Sequence, residues 1–367
     1  MSARFLTVVL ERAFNMRDGF GREIDYMRIS VIDSCNLNCY YCNPCDNNEH
    51  CHALNILSVK EVLCIVRAAT RLGIKHFRLT GGEPLLHPQI DEMVSQIKKI
   101  PGVRSVSLTT NAVLLAQHAK QLKEAGIDSI NVSLDTIDAS EYEHITKKPL
   151  LDKVEHGIDA AIECGIRVKI NAVLTPQTDV VALTRYASKK GTDIRFIEMM
   201  PVGEGHTNGV EPYEKVIGAL LEVYGTPCHI DTENREEINS GYNNADNGPA
   251  EYYSFHGFNI RVGLIQAIHG KFCDTCNRIR VTADGRLMPC LGSSVTMDLV
   301  PDSCKFTDDL EKDFVIVQAL KAAIKAKPGG HNFNDNAVTY TKNTETKTTE
   351  LKAAEVNAAR NMSRIGG

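Results

Sequence analysis

The chain has 367 residues, 43% of them hydrophobic and 24% charged, and a formal net charge of −5. This composition is typical of a globular protein and, at about 150 residues per domain, predicts two or three domains. The negative balance excludes a chain-wide attraction for a nucleic-acid polymer, so an anionic ligand would need locally clustered basic residues. No apolar run reaches the roughly 20 residues of a membrane span, and LTVVL near the N-terminus is interrupted by Glu11 and Arg12. We therefore expect a cytoplasmic protein without a membrane partner.

Short β-branched segments alternate with amphipathic segments of helical length between residues 26 and 230. Strands are predicted at 26–32, 76–80, 103–110, 130–135, 167–174 and 193–200. The first helix begins at the Ser58–Glu61 capping box and ends at Gly73. Further helices are predicted at 88–99, 114–125, 151–164, 179–190 and 212–224.

This alternation predicts right-handed βαβ units and therefore a parallel sheet. The six predicted strands fit an α/β fold, an incomplete (β/α) barrel of the TIM type, whose active site lies at the carboxyl ends of the strands. Several polar, glycine or sulfur-bearing positions fall at or just beyond those ends: three cysteines at 35–42, Gly-Gly-Glu-Pro at 81–84, Thr109, Ser133 and Met200. Their convergence predicts one active site.

The chain divides by composition into an N-terminal extension at 1–14, the barrel at 15–230, an Asn/Gly-rich linker at 231–250 and a C-terminal region at 251–367. Within the C-terminal region, 279–290 predicts a hairpin that turns at Asp284-Gly285. A helix is predicted at 308–326, and a polar stretch from 328 leads to the terminal Gly366-Gly367.

Twelve cysteines make up about 3% of the chain, well below the roughly 8–10% of a small disulfide scaffold. We therefore expect reduced thiols in a cytosol-like compartment. Six of them form two spaced sets, Cys35-x3-Cys39-x2-Cys42 and Cys273-x2-Cys276-x13-Cys290. The other six are scattered along the chain: Cys45, Cys51, Cys64, Cys164, Cys228 and Cys304.

The first set has only three cysteines, whereas a structural zinc site usually has four ligands. Three thiolates on one loop can instead hold an iron–sulfur cubane and leave one iron open to a small molecule. The second set permits the same interpretation, or a zinc ribbon completed by Cys304 or a histidine. Arg278 and Arg280 lie between its cysteines on one face of a predicted strand, where they either bind phosphate or are merely solvated.

The CNLNCYYC segment, with Gly81-Gly82-Glu83-Pro84 after the next strand, resembles the radical S-adenosylmethionine (SAM) superfamily. In that superfamily the open iron chelates the methionine group of SAM. An electron from the cluster then cleaves SAM to methionine and a 5′-deoxyadenosyl radical, which abstracts hydrogen from the substrate. The resemblance implies that the protein binds, orients and shields reactants while the cofactor carries the radical chemistry.

A longer set of segments is similar to one family, the GTP 3′,8-cyclases of molybdenum cofactor biosynthesis. The resemblance covers about residues 15–367 and rests on RLTGGEPLL, INVSLD, IRFIEMMPVG, FCDTCNRIRVTADGRLMPCL, KPGGHNFN and the terminal Gly-Gly. It implies conversion of GTP to (8S)-3′,8-cyclo-7,8-dihydroguanosine 5′-triphosphate, with SAM and two 4Fe-4S clusters as cofactors. It also implies a reducing electron donor, a downstream cyclic pyranopterin monophosphate synthase and a homodimer as partners.

The resemblance assigns roles position by position. The first cluster is matched by Cys35, Cys39 and Cys42, and the second, whose open iron binds guanine, by Cys273, Cys276 and Cys290. Contacts to SAM are matched by Tyr41, Gly82, Ser133 and Met200. Contacts to GTP are matched by Arg28, Arg78, Thr109, Lys169, Arg278, Ile279 and Arg280, with Arg195 as a further basic candidate. Catalytic roles are matched by Arg278, Arg280, Gly366 and Gly367.

Two segments depart from the family pattern. His76 occupies a position where the family commonly has lysine, and residues 43–52 replace its usual loop with extra thiols and imidazoles. Two other functions are compatible with the cysteine sets. A peptide-modifying radical SAM enzyme would carry an auxiliary cluster, and an iron- or redox-sensing protein would use its clusters as switches. The sensing protein, however, would not need Gly-Gly-Glu-Pro or basic residues at successive strand ends.

Overall fold

The structure of the chain, a computed structural model, describes residues 16–42, 55–200, 213–229, 248–257, 259–293, 296–299 and 309–331. Several predicted features lie outside these ranges: the extension at 1–14, most of the linker, the loop at 43–52, Cys304 and the tail glycines Gly366 and Gly367.

Strands and helices alternate along the barrel region, as the sequence predicts. The strands are β1 (Tyr26–Ser30), β2 (His76–Thr80), β3 (Ser105–Thr110), β4 (Ser129–Ser133), β5 (Arg167–Val173) and β6 (Asp193–Ile197). The helices are α1 (Val59–Arg71), α2 (Ile90–Lys98), α3 (Leu115–Ala125), α4 (Ala139–Thr146), α5 (Leu151–Glu163), α6 (Val180–Lys190) and α7 (Tyr213–Tyr224). The C-terminal part adds β7 (Cys228–His229), β8 (Glu251–Ser254), β9 (Val262–Ile265), β10 (Arg278–Val281), β11 (Arg286–Met288), β12 (Met297–Asp298) and α8 (Asp309–Lys325).

All of these strands belong to one sheet, in the order β12-β11-β10-β1-β2-β3-β4-β5-β6-β9-β8-β7. The pairs from β10 through β9 are parallel, and the strands outside them are antiparallel. No pairing joins the two end strands in the part of the chain that the structure describes. The incomplete barrel predicted from the sequence is therefore confirmed, and C-terminal strands extend it on both sides.

The central strands have one apolar face and one polar face. Their apolar residues, such as Phe77, Leu79 and Phe196, are almost fully buried in a core shared with the helices. The intervening residues are polar, as in β2, where Arg78 lies between Phe77 and Leu79. Parallel strands covered on both faces are usually apolar throughout, so the polar face indicates a lumen that holds a polar ligand.

The C-terminal helix α8 packs against α1 on the outside of the barrel. An ion pair of 2.8 Å between Arg71 Nη2 and Asp313 Oδ2 joins the two helices. Among the described helices, none combines the length and the apolar character needed to cross a bilayer.

Candidate active site

The first cysteine loop follows β1 and is fastened to neighbouring segments by backbone hydrogen bonds. The Asn38 and Tyr40 amides donate to the last residues of α4, Thr146 O at 3.0 Å and Ile145 O at 3.1 Å. Near the start of the loop, Asp33 accepts hydrogen bonds from the backbone and side chain of Asn55, at 3.1 and 2.6 Å. The loop is thus held at both ends at the carboxyl edge of the sheet.

The three thiols of this loop interact with one another. Burial and the neighbouring thiol of Cys35 raise the pKa of Cys42 to about 12, and burial also raises the pKa of Cys35 to about 11. Cys39 has its pKa raised in the same way, by burial and then by Cys42. Such thiols give up their protons readily only beside positive charge, which a metal centre supplies.

The chemistry of this donor set matches that of a cluster site. Within the described residues, no group of three His, Cys, Asp or Glu side chains is placed to hold a single metal ion. Iron–sulfur clusters are held by cysteine thiolates, and the three thiols of this loop are close enough to raise one another's pKa. Cys35, Cys39 and Cys42 are thus the type of donor that the 4Fe-4S cluster implied by the sequence resemblance would require.

The Gly-Gly-Glu-Pro turn after β2 packs directly on this cysteine loop. A Cβ on Gly82 would lie 2.1 Å from Ser34 O, and one on Gly81 would lie 2.5 Å from Ile32 O. The Gly82 amide donates to Ile32 O at 2.7 Å, and the Glu83 amide donates to Ser34 O at 2.8 Å. Both glycines are therefore already required by the contact with the cysteine loop.

Glu83 connects the turn with the end of β3. Its buried carboxylate accepts hydrogen bonds from Thr110 Oγ1 at 2.6 Å and from the Asn111 amide at 2.8 Å. Burial raises the pKa of Glu83 to about 7, although these hydrogen bonds oppose the rise. Asn111 in turn donates to Asn36 Oδ1 at 2.7 Å, so the ends of β2 and β3 and the cysteine loop form one connected unit.

Tyr41, Ser133 and Met200 are brought to the same edge as the cysteine loop. The Tyr41 hydroxyl donates to Asp135 Oδ2 at 2.5 Å, and Asp135 Oδ1 accepts from the Val173 amide at 2.8 Å. Ser133 ends β4 with an exposed side chain, and Met200 is half-buried beyond β6. Sequence reasoning did not single out Asp135, although it is the last residue of the INVSLD segment that contains Ser133.

The second set of cysteines lies where the C-terminal strands join β1. Cys273 opens a short 3-10 turn, Cys276 precedes β10, and Cys290 follows β11. Burial alone would raise the pKa of Cys276, but the cations of Lys327 and Arg278 more than offset it and leave the pKa lowered.

The predicted hairpin brings two arginines into the lumen beside these thiols. β10 and β11 are antiparallel, with Arg280 opposite Met288. β10 is also parallel to β1, which places Arg278 beside Tyr26 and Arg280 beside Arg28. The side chain of Ile279 belongs to the hydrophobic core, so this residue can offer a ligand in the lumen only its backbone.

Cations dominate the inner face of the barrel. Burial, followed by repulsion from neighbouring cations, lowers the pKa of Arg28 and brings that of Arg280 to about 10 and that of Lys169 to about 6. Burial also lowers the pKa of Arg78, together with repulsion from Arg195 and Arg278. Buried like charges are unfavourable unless a counter-charge is present, so this lumen is suited to a polyanion.

Several lumen groups have hydrogen-bonding capacity to spare. Among the buried groups for which no hydrogen-bond partner is found in the described residues, four lie on the polar face of the sheet: Thr109 Oγ1, both amide atoms of Asn131, Arg195 Nη2 and Arg278 Nε. Asn131 lies between Thr109 and Lys169 in the strand register. It was missed by sequence reasoning, because an isolated asparagine in a strand carries no distinctive pattern.

His76 does not replace the lysine that the family commonly has. Its Nδ1 lies 2.7 Å from Ser105 Oγ, and its ring stacks on Tyr26. Burial lowers the pKa of His76 and so favours the neutral ring. The adjacent Lys75 pairs with Glu23 at 3.9 Å, so neither side chain adds a firm positive charge to the lumen.

Comparisons with known proteins identify the family to which the chain belongs. Residues 29–184 match the Radical SAM superfamily, and residues 192–333 match the family described as Molybdenum Cofactor Synthesis C. The GTP 3′,8-cyclase of Clostridium perfringens (strain SM101 / Type A) is 37% identical over 322 residues, which are 87% of this chain and 95% of that protein. The GTP 3′,8-cyclase of Petrotoga mobilis is 35% identical over 89% of this chain and 98% of its own length.

Among solved structures, SuiB of Streptococcus suis bound to S-adenosylmethionine has a TM-score of 0.54. It is 15% identical, and the match covers 91% of this chain and 72% of SuiB. At that identity the likeness concerns the fold alone.

Proposed function

The chain belongs to the GTP 3′,8-cyclase family of radical SAM enzymes, and we propose that its two cysteine sets and its cationic lumen hold the cofactors and the substrate. The protein is a radical SAM GTP 3′,8-cyclase of molybdenum cofactor biosynthesis, with SAM and a 4Fe-4S cluster as cofactors. Identity of 37% over most of the chain with a cyclase decides against the peptide-modifying and sensing alternatives.

In this proposal Cys35, Cys39 and Cys42 hold the first cluster. When bound there, the cluster would supply the electron for the reductive cleavage of SAM. The chain itself orients SAM beside the cluster, through Tyr41 and Ser133 on one side and the turn around Gly82 on the other. The hydrogen bond from Tyr41 to Asp135 ties the cysteine loop to the end of β4 and thereby keeps Tyr41 close to Ser133.

We assign the second cluster to Cys273, Cys276 and Cys290. Support comes from the positive surroundings of these thiols: Lys327 and Arg278 lower the pKa of Cys276, and Arg280 lies within electrostatic reach of both Cys276 and Cys290. Iron analysis after anaerobic reconstitution tests the assignment, because two cubanes bind about eight irons and one binds about four. Loss of half the iron in a Cys273→Ala/Cys276→Ala/Cys290→Ala chain would agree with it, and unchanged iron would contradict it.

We assign the triphosphate of GTP to the lumen because buried cations are in excess there. Arg28, Arg78, Lys169, Arg195 and Arg280 converge from five strands, and arginine in particular binds phosphate through paired hydrogen bonds. Thr109 and Asn131 add hydrogen-bonding groups for the nucleoside. The tail glycines Gly366 and Gly367 stay a prediction from the family resemblance.

Binding measurements with GTP, GMP and guanosine test this assignment. Arg78→Met should weaken binding of GTP strongly, that of GMP less, and that of guanosine little, because the lost charge acts on the phosphates. Arg104→Met is a matched control, since Arg104 is exposed before the amino end of β3. Equal losses for all three ligands would remove Arg78 from the phosphate site.

We further propose that a reduced electron donor serves the first cluster and that a cyclic pyranopterin monophosphate synthase consumes the product. Exposed cluster irons react with oxygen, which suits a reducing compartment such as the cytoplasm. The homodimer expected from the family resemblance is part of this proposal. Sedimentation of the anaerobically reconstituted protein over a concentration series tests it.

A further inference from the structure

The segment after α8, residues 327–330, is the KPGG part of a motif to which the activity assigns no role. Lys327 is 2% exposed. Its ammonium donates hydrogen bonds to Arg278 O at 2.8 Å and to Pro289 O at 2.9 Å. A buried lysine is unusual unless its charge is compensated. The groups around this ammonium therefore indicate the function of Lys327.

Both carbonyls belong to the segments that present the second set of cysteines. Arg278 lies two residues after Cys276, and Pro289 immediately precedes Cys290. The Lys327 ammonium also hydrogen-bonds the Cys276 thiol itself. One cation therefore joins the two ends of the β10–β11 hairpin that carry ligands.

The same segment also passes close to the third cysteine. A Cβ built on Gly330 would lie 3.8 Å from Cys273 Cβ and 3.9 Å from Cys273 Sγ. Residues 327–330 thus line all three positions of the set, and this short segment is a wall of the proposed cluster site.

Arg22 connects residues 328 and 329 of this segment to Cys273 by hydrogen bonds. Its guanidinium donates to Cys273 O at 2.6 Å, to Gly329 O at 3.1 Å and to Pro328 O at 2.6 Å. A buried ion pair with Asp18, at 2.6 Å, holds the guanidinium in place. The position of Lys327 is therefore set by its own hydrogen bonds and by those that Arg22 makes to the next two residues.

We propose that Lys327 is a positioning residue for the second cluster: its ammonium holds the Cys276 and Cys290 segments together and stabilises the negative charge of the bound cluster. Hydrogen bonds to cluster sulfurs and nearby charge set the reduction potential of iron–sulfur centres. A fixed cation favours the more negative, reduced state, so Lys327 raises the potential of the second cluster. This inference rests on the assignment of the second cluster proposed above.

The test uses the full chain with Cys35, Cys39 and Cys42 changed to alanine, so that only the second cluster remains. Lys327→Met and Lys327→Arg are compared in that chain after anaerobic reconstitution, with Lys325→Met as control because Lys325 is exposed on the last turn of α8. Iron content is measured, and the midpoint potential is determined by a redox titration followed by EPR.

We expect Lys327→Met to shift the midpoint potential of the second cluster to a more negative value. The midpoint potentials of Lys327→Arg and Lys325→Met should stay close to that of the parent chain. Loss of iron in Lys327→Met that Lys327→Arg restores would support the same role, because it shows that the charge holds the cluster.

An unchanged midpoint potential with full iron content in Lys327→Met would overturn the role of Lys327 and leave the assignment of the second cluster intact. Loss of iron in both Lys327 variants would also overturn it, because the lysine would then be required for its shape and not for its charge. A parent chain that binds no iron would refute the second cluster itself, and the inference with it, which separates the two failures.

Discussion

Binding of GTP should be accompanied by uptake of a proton at Lys169. Burial, followed by repulsion from Arg195, Arg261 and Arg78, lowers the pKa of this lysine to about 6, and Asp193 only partly opposes the shift. At about pH 7.5 only some 3% of a group with such a pKa is protonated. A triphosphate bound at the proposed site adds negative charge next to Lys169 and restores the ammonium.

The size of the effect follows from linkage. Near pH 7.5 the bound state holds about one more proton than the free state, and the affinity for GTP falls about tenfold for each pH unit above 6. The measurement is titration calorimetry in two buffers of different ionisation enthalpy, between about pH 7.5 and 8.5. In that range the terminal phosphate, with a second pKa near 6, is already ionised.

Two substitutions make this result specific. Lys169→Met should bind GTP weakly without taking up a proton, and Lys169→Arg should bind it without uptake because the guanidinium stays charged. Absence of uptake in the unchanged protein, or equal uptake in Lys169→Met, would refute the reasoning.

Three further outcomes are expected. Gly82→Ala should lower iron binding and 5′-deoxyadenosine formation, because the new methyl would meet Ser34 O at 2.1 Å; Gly218→Ala is the control, since a Cβ there meets nothing within 4 Å among the described residues. Cys35→Ala should abolish 5′-deoxyadenosine formation while leaving GTP binding largely intact, and turnover at the normal rate would exclude it as a ligand. Without ligand, the thermal stability should rise between about pH 7 and 8.5, because unfolded Lys169 binds a proton that the native state excludes. The window is bounded because the raised pKa of Glu83 acts in the opposite direction below it, and the raised pKa values of Cys35 and Cys42 do so above it; a flat profile within the window would contradict this.

The barrel could be predicted because hydrophobic residues recur with a different period in its helices and in its strands. The helix predicted at 179–190 is α6 (Val180–Lys190), and the strand predicted at 76–80 is β2. Helix α4 was missed because its eight residues bury only Tyr142, Ile145 and Thr146, which is too few to establish a helical period. Such a short helix depends on tertiary contacts, here with the first cysteine loop.

The position of the C-terminal strands could not be predicted in the same way. β10 pairs with β1 across about 250 residues of chain, and no local pattern records which edge a distant strand will join. The sequence placed Arg278 and Arg280 on one face of a strand, but only the register beside β1 brings them to Arg28. For the same reason the contacts of Lys327 with the ligand segments have no counterpart in the local sequence.

This long-range pairing gives the charge distribution a physical meaning. Arg28 and Arg78 come from the N-terminal half of the barrel, whereas Arg278 and Arg280 come from the other end of the chain. Folding therefore brings like charges together inside a chain whose net charge is −5, and their repulsion opposes the closeness of β10 and β1. A triphosphate bound at the proposed site would attract the arginines of both strands and so offset that repulsion. The part of the substrate that does not react can therefore hold together the two regions that carry the cysteine sets.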